Sequence, residues 1–122
     1  TINISCPNTQ DGEPFVDKKN LDALLTALDK VKQPNKPVYL KTAADLNKEE
    51  IDTIVDECLK HKVDGLVLAN LTKPSLSAEY FKEELIFDKG ALSGLPLQRI
   101  SINLIRHVYQ RTRGKITIIG VG

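Results

Sequence analysis

Little in this sequence points to a metal centre, a disulfide framework or a membrane span. The two cysteines, Cys6 and Cys58, are isolated, with no second Cys or His at metal-ligand spacing. No apolar run approaches the length needed to cross a bilayer. Lys and Arg number 17 against 16 Asp and Glu, and only 5% of residues are aromatic. Neither a polyanion-binding face nor a base-stacking surface is therefore indicated, and a reducing intracellular compartment is expected.

The order of apolar patterns along the 122 residues is typical of βα units around a parallel sheet. Short β-branched runs predict strands over 1–5, 37–41, 65–69 and 115–120. Three helices are predicted between them, and Asn47 with Glu50 gives a start signal for the second. Their apolar stripes are Leu21, Leu24, Leu25, Leu28 and Val31, then Ile51, Ile54, Val55, Cys58 and Leu59, and last Ile102, Ile105 and Tyr109.

This α/β pattern suits either an open doubly wound sheet or part of a (β/α)8 barrel, and periodicity does not choose between them. Both ends of the chain fall in predicted strands, and a whole barrel takes about 250 residues. We therefore expect residues 1–122 to be the central segment of a single domain that is incomplete at both ends. In either architecture, ligands bind beyond the carboxyl ends of the strands.

The predicted strand ends carry groups suited to a flat, polar ligand. They are Asn3 and Cys6 at the first strand, Lys41 at the second and Asn70 after the third. An ammonium group ending an apolar strand is costly unless it meets an anion or a polar ligand atom. Carboxamides both donate and accept hydrogen bonds, and glycines near strand ends let backbone N–H groups approach a phosphate. A planar phosphorylated cofactor and a small polar heterocycle are indicated, whereas no P-loop motif or acidic pair stands at these ends.

Residues 3–9, Asn-Ile-Ser-Cys-Pro-Asn-Thr, closely resemble the N-x-S-[SC]-P-N motif of the dihydroorotate dehydrogenases. The resemblance continues in the same order through 40–41, 64–66, 70, 92–97 and 118–122. It covers the whole chain and implies strands four to seven of that family's FMN-binding TIM barrel. It also implies oxidation of dihydroorotate to orotate, with FMN as hydride acceptor, in de novo pyrimidine (UMP) biosynthesis.

The resemblance implies a role for individual residues. Cys6 matches the base that removes the C5 proton of dihydroorotate as hydride leaves C6. The implied cofactor-binding residues are Asn3, Lys41, Ala69, Ser93, Gly94 and Gly122, with no metal ligand. The implied substrate-binding residues are Asn3, Asn8, Asn70 and Leu71. Leu71 departs from the family, which tends to have Thr at this substrate-contacting position.

Features of two family branches are mixed in this sequence. Cys6 is typical of the soluble branches, since the quinone-using, membrane-associated branch usually has Ser as the base. Residues 43–46 and 92–97 look more like the quinone-using branch. We expect quinone as electron acceptor and a peripheral position on the cytoplasmic membrane through a region absent here; a soluble acceptor would imply a cytoplasmic protein. The alternatives are a related flavin-dependent dihydropyrimidine or soluble-acceptor dihydroorotate dehydrogenase, and a non-catalytic binding module derived from the barrel.

The remaining notable residues receive structural interpretations. Cys58 lies on the apolar stripe of a helix and is predicted to be a core residue. His61 and His107 stand in charged surroundings and are predicted to face solvent. The polar stretch 73–90 either covers the site or is a tolerated insertion.

The 122-residue segment is expected to be inactive by itself, because half a barrel leaves open sheet edges and apolar faces without partners. Flavin titration of the purified segment, followed by fluorescence, checks this expectation. Stoichiometric flavin binding by the isolated segment would contradict it.

Overall fold

The computed structural model describes residues 1–5, 14–71 and 92–122, and in these ranges four strands alternate with three helices. The strands are β1 (Ile2–Asn3), β2 (Tyr39–Lys41), β3 (Gly65–Leu68) and β4 (Thr117–Gly120). The helices are α1 (Lys18–Asp29), α2 (Lys48–Lys60) and α3 (Gln98–Thr112). Short 3-10 helices at Pro14–Val16 and Leu95–Leu97 precede α1 and α3. Each strand lies inside its predicted range.

The strands form one parallel sheet whose spatial order, β1-β2-β3-β4, is also their order along the chain. A doubly wound sheet instead reverses its strand order at a switch point and carries helices on both faces. Here all three helices pack into a single core with the same set of strand residues, so they cover one face. This arrangement is that of a (β/α)8 barrel, and it decides between the two architectures that the sequence left open.

Local signals account for the ends of the helices. At α2, the Asn47 side chain accepts a hydrogen bond from the Glu50 amide (2.9 Å), and the Glu50 carboxylate accepts one from the Asn47 amide (2.7 Å). This capping box satisfies two N–H groups that the first turn would otherwise leave unpaired, and it confirms the predicted start. Asp17 caps α1 by accepting from the Asn20 amide at 3.0 Å.

The buried face of α3 differs from the predicted one. Ile102 and Tyr109 are exposed, at 46% and 61%, whereas a different row of side chains is buried: Ser101, Leu104, Val108 and Thr112. Two of these four residues are hydroxyl-bearing, and an apolar stripe does not reveal them. The Thr112 hydroxyl donates to the Val108 carbonyl at 2.9 Å, so it is buried without an unpaired group.

Cys58 is fully buried in the core between α2 and the sheet, as predicted. Burial raises the pKa of its thiol to about 12, because the surroundings disfavour the thiolate. Its neighbours in the core include Ile54, Val55 and Leu66.

His61 joins the ends of α1 and α2, and the prediction that it faces solvent is wrong. Its side chain is only 8% exposed. Its Nδ1 lies 2.6 Å from Asp29 Oδ2, and its Nε2 lies 2.7 Å from Asp22 Oδ1. Carboxylate oxygens only accept, so the form that satisfies both contacts is the imidazolium. The hydrogen bond to Asp29, followed by that to Asp22, raises the pKa of His61 above its usual 6.5.

Lysines balance the charges around His61. Lys60 contacts the carboxylates of Asp22 (2.5 Å) and Glu57 (3.3 Å), although Glu57 is only 2% exposed. The hydrogen bonds from Lys60 and then from His61 lower the pKa of Asp22 to about 2. The ligand atoms of Asp22, Glu57 and His61 lie within 4.8 Å of one another, which is a geometry seen at metal sites. We assign them to an ion-pair network, because the Lys60 ammonium group already contacts both carboxylates.

His107 is the second histidine that the sequence placed in solvent. It retains 30% side-chain exposure, and its Nε2 lies 2.7 Å from Asp52 Oδ1 on α2. Arg111 also approaches Asp52 (3.3 Å) and binds Asp56 (2.7 Å). The helices α2 and α3 are therefore joined by a more open set of ion pairs than α1 and α2.

The His61 contacts predict a pH-dependent stability. Because the folded-state pKa of His61 is raised, its contribution is fully present below pH 6.5 and is lost as the pH rises through the folded value. His61→Gln in the full-length protein should therefore lower the urea midpoint most at pH 5–6, with the gap to wild type closing at alkaline pH.

His107→Gln is the matched control, since His107 is more exposed and, among the described residues, contacts only the Asp52 carboxylate. A His61→Gln destabilisation that stays constant between pH 5 and pH 9 would show that the imidazolium charge contributes nothing.

Candidate functional site at the strand ends

The carboxyl ends of the four strands lie side by side at one edge of the sheet. Pairing places Asn3 opposite Lys41, Lys41 opposite Val67, and Val67 opposite Ile119. Partners in adjacent parallel strands point to the same side, and this row lies on the side that α1, α2 and α3 do not cover. Asn3 and Lys41, two of the predicted site residues, are thus direct neighbours.

Backbone hydrogen bonds between neighbouring strands continue beyond the strand bounds and fix the positions of the residues that follow the strands. Ile4 N donates to Lys41 O (3.0 Å), and Asn70 N donates to Thr42 O (2.8 Å). On the other side of β3, Ala69 N donates to Val121 O at 3.2 Å. Residues that follow the strands are therefore held almost as firmly as the strands themselves.

The polar side chains of Asn3, Ser5 and Asn70 meet at the carboxyl ends of β1 and β3. Ser5, which is 3% exposed, donates through its amide and its hydroxyl to Asn3 Oδ1, at 3.2 and 3.0 Å. The Asn70 side-chain amide lies 3.2 Å from Ser5 Oγ and 3.3 Å from the Ser5 carbonyl. The two carboxamides that the sequence placed at separate strand ends are therefore joined through a serine that it did not single out.

Lys41 lies beside this group, and no described acidic side chain pairs with its charge. In the part of the chain that the structure describes, its ammonium group makes no hydrogen bond or ion pair. The carbonyl of Lys41 accepts from Ile4 N and lies 3.4 Å from Ser5 Oγ, so the backbone at this position is fixed. A half-buried cation held in this way is suited to an anionic or electron-rich ligand.

Two predicted glycines have backbone conformations that other residues rarely adopt. Gly94 has φ +76° and precedes the 3-10 turn into α3, while Gly122 has φ +125°. A Cβ at Gly94 would meet no atom of the described residues within 4 Å, but its positive φ is a backbone conformation that favours glycine. Gly122 also lines a cavity of about 220 Å³ between β4 and α3, with Gln98, Ser101 and Val121 among its walls.

The other predicted site residues occupy varied positions. Ala69 is 6% exposed at the end of β3, Leu71 is 38% exposed, and Ser93 is exposed beside Gly94. Cys6 and Asn8 lie outside the described residues. Asn3, Lys41 and Asn70 come together with Ser5, and Ala69 is linked by its backbone to the strand that leads to Gly122.

Comparison with known proteins places this geometry in a family. The family model described as dihydroorotate dehydrogenase matches residues 1–122. The chain belongs to the dihydroorotate dehydrogenase family. The predicted family and the predicted fold class, part of a TIM (β/α)8 barrel, are thereby confirmed.

Curated relatives carry the name of the quinone branch. The chain is 33% identical over 126 residues to a dihydroorotate dehydrogenase (quinone) of Rippkaea orientalis, covering 99% of the chain and 33% of the relative. It is 37% identical over 129 residues to the mitochondrial dihydroorotate dehydrogenase (quinone) of Schizosaccharomyces pombe, covering 99% and 28%. These matches agree with the predicted quinone-using branch, and the chain spans about a third of the length of such relatives.

Solved structures of the family share the fold. The ligand-free dihydroorotate dehydrogenase of Eimeria tenella superposes with a TM-score of 0.76 at 28% identity, over 99% of this chain and 38% of that one. The same enzyme in complex with ferulenol gives a TM-score of 0.78 at 28% identity, over 99% and 37%. Within the described residues of the present chain, none of the helices is long and apolar enough to cross a membrane.

Alkylation with a thiol reagent tests the burial of Cys58. Cys58 should stay unmodified when the native full-length protein is treated with iodoacetamide at pH 8, because it has neither solvent access nor an accessible thiolate. Peptide mass spectrometry measures the modification, and a urea-unfolded sample is the control in which Cys58 should react. Equal labelling of Cys58 in the native and unfolded samples would show that this region of the core is open.

Proposed function

We propose that the full-length protein containing this chain oxidises dihydroorotate to orotate, with FMN as hydride acceptor, in de novo pyrimidine biosynthesis. The observation that carries the proposal is the joined Asn3–Ser5–Asn70 group beside the Lys41 ammonium, which has no partner among the described residues, at the carboxyl edge of a family barrel. Active sites of (β/α)8 enzymes lie at this edge.

The chain corresponds, in this proposal, to the central segment of a single FMN-binding barrel domain, roughly strands four to seven. Four consecutive parallel strands with helices on one face support the placement, as does coverage of about a third of the curated relatives.

The residues at the strand tips suit a reduced flavin. A flavin supplies hydride acceptance when bound, and family membership supports a flavin cofactor; FMN is the specific form that we propose. The Lys41 ammonium would stabilise negative charge that develops on the ring system on reduction, and Asn3 would offer it a hydrogen bond. Gly94 and Gly122 have no side chain and adopt positive φ, so their backbone amides would be able to approach a phosphate closely, with Ala69 and Ser93 as further cofactor contacts.

Substrate binding and proton removal are assigned to neighbouring positions. We propose that Asn3, Asn8, Asn70 and Leu71 contact the pyrimidine ring, and that Cys6 removes the C5 proton while hydride leaves C6. Cys6 directly follows Ser5, which is buried at the tip of β1. An unperturbed thiol pKa near 8.5 makes its thiolate far more accessible than a serine alkoxide. Leu71 offers an apolar contact where a hydroxyl is usual.

The proposed electron acceptor is quinone, with a peripheral position on the cytoplasmic membrane through a region outside this chain. The names of the curated relatives support this choice. Anaerobic addition of dihydroorotate to the yellow full-length protein should bleach the flavin, and a short-chain quinone should restore the colour faster than soluble acceptors do. Faster recovery with a soluble acceptor would favour the soluble type. A full-length protein that binds no flavin would favour a non-catalytic module.

Cys6→Ala in the full-length protein should leave FMN bound but slow flavin reduction by dihydroorotate by about 100-fold or more, the usual contribution of a positioned base. Stopped-flow absorbance of the flavin measures the rate.

Cys58→Ala is the matched control, because it removes a thiol from the core without touching the strand tips. Its reduction rate per bound flavin should equal that of wild type. An unchanged rate in Cys6→Ala would remove Cys6 from the mechanism.

A further inference from the structure

Ser5 is a buried hydroxyl-bearing residue at the centre of the group formed by Asn3, Ser5 and Asn70 at the strand ends. It is 3% exposed, and its hydroxyl oxygen lies between Asn3 Oδ1 (3.0 Å) and the Asn70 side-chain amide (3.2 Å). The Lys41 carbonyl, at 3.4 Å, is its third polar neighbour. Burying a hydroxyl at this point is tolerated because each of these partners satisfies it.

The direction of each hydrogen bond in this group follows from the acceptors. The Ser5 carbonyl can only accept, so the Asn70 group that faces it at 3.3 Å must be the NH2 group. The same NH2 group faces Ser5 Oγ, which therefore accepts from Asn70 and directs its own proton elsewhere. The nearer acceptor for that proton is Asn3 Oδ1, which also receives the Ser5 amide proton.

A fixed polarity results for the two carboxamides. With its oxygen occupied by Ser5, Asn3 has its NH2 group left to donate to a ligand. With its NH2 group directed at Ser5, Asn70 has its oxygen left to accept from a ligand. Without Ser5, either carboxamide could rotate by half a turn and exchange donor for acceptor, since the two ends of an amide have nearly the same shape.

We propose that Ser5 is a positioning residue that sets the donor and acceptor polarity of Asn3 and Asn70 for a ring bearing both carbonyl and N–H groups. The proposal rests on the proposed function, because dihydroorotate and orotate are rings of this kind. Ser5 touches neither substrate nor cofactor in this role; it acts through the two carboxamides.

The test uses the full-length protein loaded with FMN. Ser5→Ala should weaken orotate binding about tenfold, because reorienting a carboxamide on binding costs about as much free energy as one hydrogen bond contributes. The dissociation constant is measured from the change in flavin absorbance. KM for dihydroorotate should rise more than kcat falls. FMN content and melting temperature should stay close to those of wild type.

Two further variants separate positioning from packing. Ser5→Thr keeps the hydroxyl and should restore orotate binding. Thr112→Val is the matched control, because Thr112 is a buried residue whose hydroxyl donates to the Val108 carbonyl (2.9 Å) at the last turn of α3, apart from both carboxamides. It should leave orotate binding unchanged. In an Asn70→Ala background, Ser5→Ala should add less than its effect in wild type, since one of the two carboxamides that it orients is gone.

The outcomes distinguish the two proposals. If wild type neither binds orotate nor is reduced by dihydroorotate, the proposed function fails. If wild type does both and Ser5→Ala binds orotate equally well, the positioning role is overturned. Should Ser5→Ala not fold, Ser5→Cys preserves most of the volume with a weak donor: weakened orotate binding then supports the role, and wild-type binding overturns it.

Discussion

Parallel pairing of four consecutive strands is the constraint on which the other features of this molecule depend. In that arrangement every strand delivers its carboxyl end to the same edge, so residues that are 65 positions apart, such as Ser5 and Asn70, come within hydrogen-bonding distance. The pairing is close enough to require a glycine at one point: a Cβ at Gly65 would collide with the Thr117 carbonyl. Backbone hydrogen bonds beyond the strands keep the residues that follow them in the same register.

The two ends of the sheet have different chemistry. At the carboxyl edge, neutral carboxamides and the Lys41 ammonium group, which has no partner among the described residues, leave hydrogen-bonding capacity for a ligand. At the opposite edge, the charged groups around His61 are paired with one another and tie α1 to α2. Within the described residues, the first arrangement leaves polar groups with capacity for a ligand, whereas the second pairs its charged groups, which favours stability.

Cys6, the proposed base, directly follows Ser5 in a chain whose curated relatives are named for quinone. The contacts of Ser5 give the sequence motif around these residues a physical meaning. The Ser5 amide and hydroxyl donate to the Asn3 side-chain oxygen. The Ser5 carbonyl and hydroxyl oxygen accept from the Asn70 side-chain NH2 group. When its backbone is counted, serine presents two donors and two acceptors at this point, and all four face the carboxamides.

From the sequence alone, the strands, the helices, the capping box at Asn47 and Glu50, and the core position of Cys58 could be determined, because each depends on local periodicity or residue chemistry. Family motifs also indicated that Asn3, Lys41 and Asn70 share a site. Four features were decided only by tertiary structure. The barrel-type order of the strands and the buried face of α3 depend on which elements become neighbours. The burial of His61 depends on two aspartates 39 and 32 residues away, and the bridging position of Ser5 depends on a carboxamide from another strand. Such contacts join residues distant in sequence, and no local pattern records them.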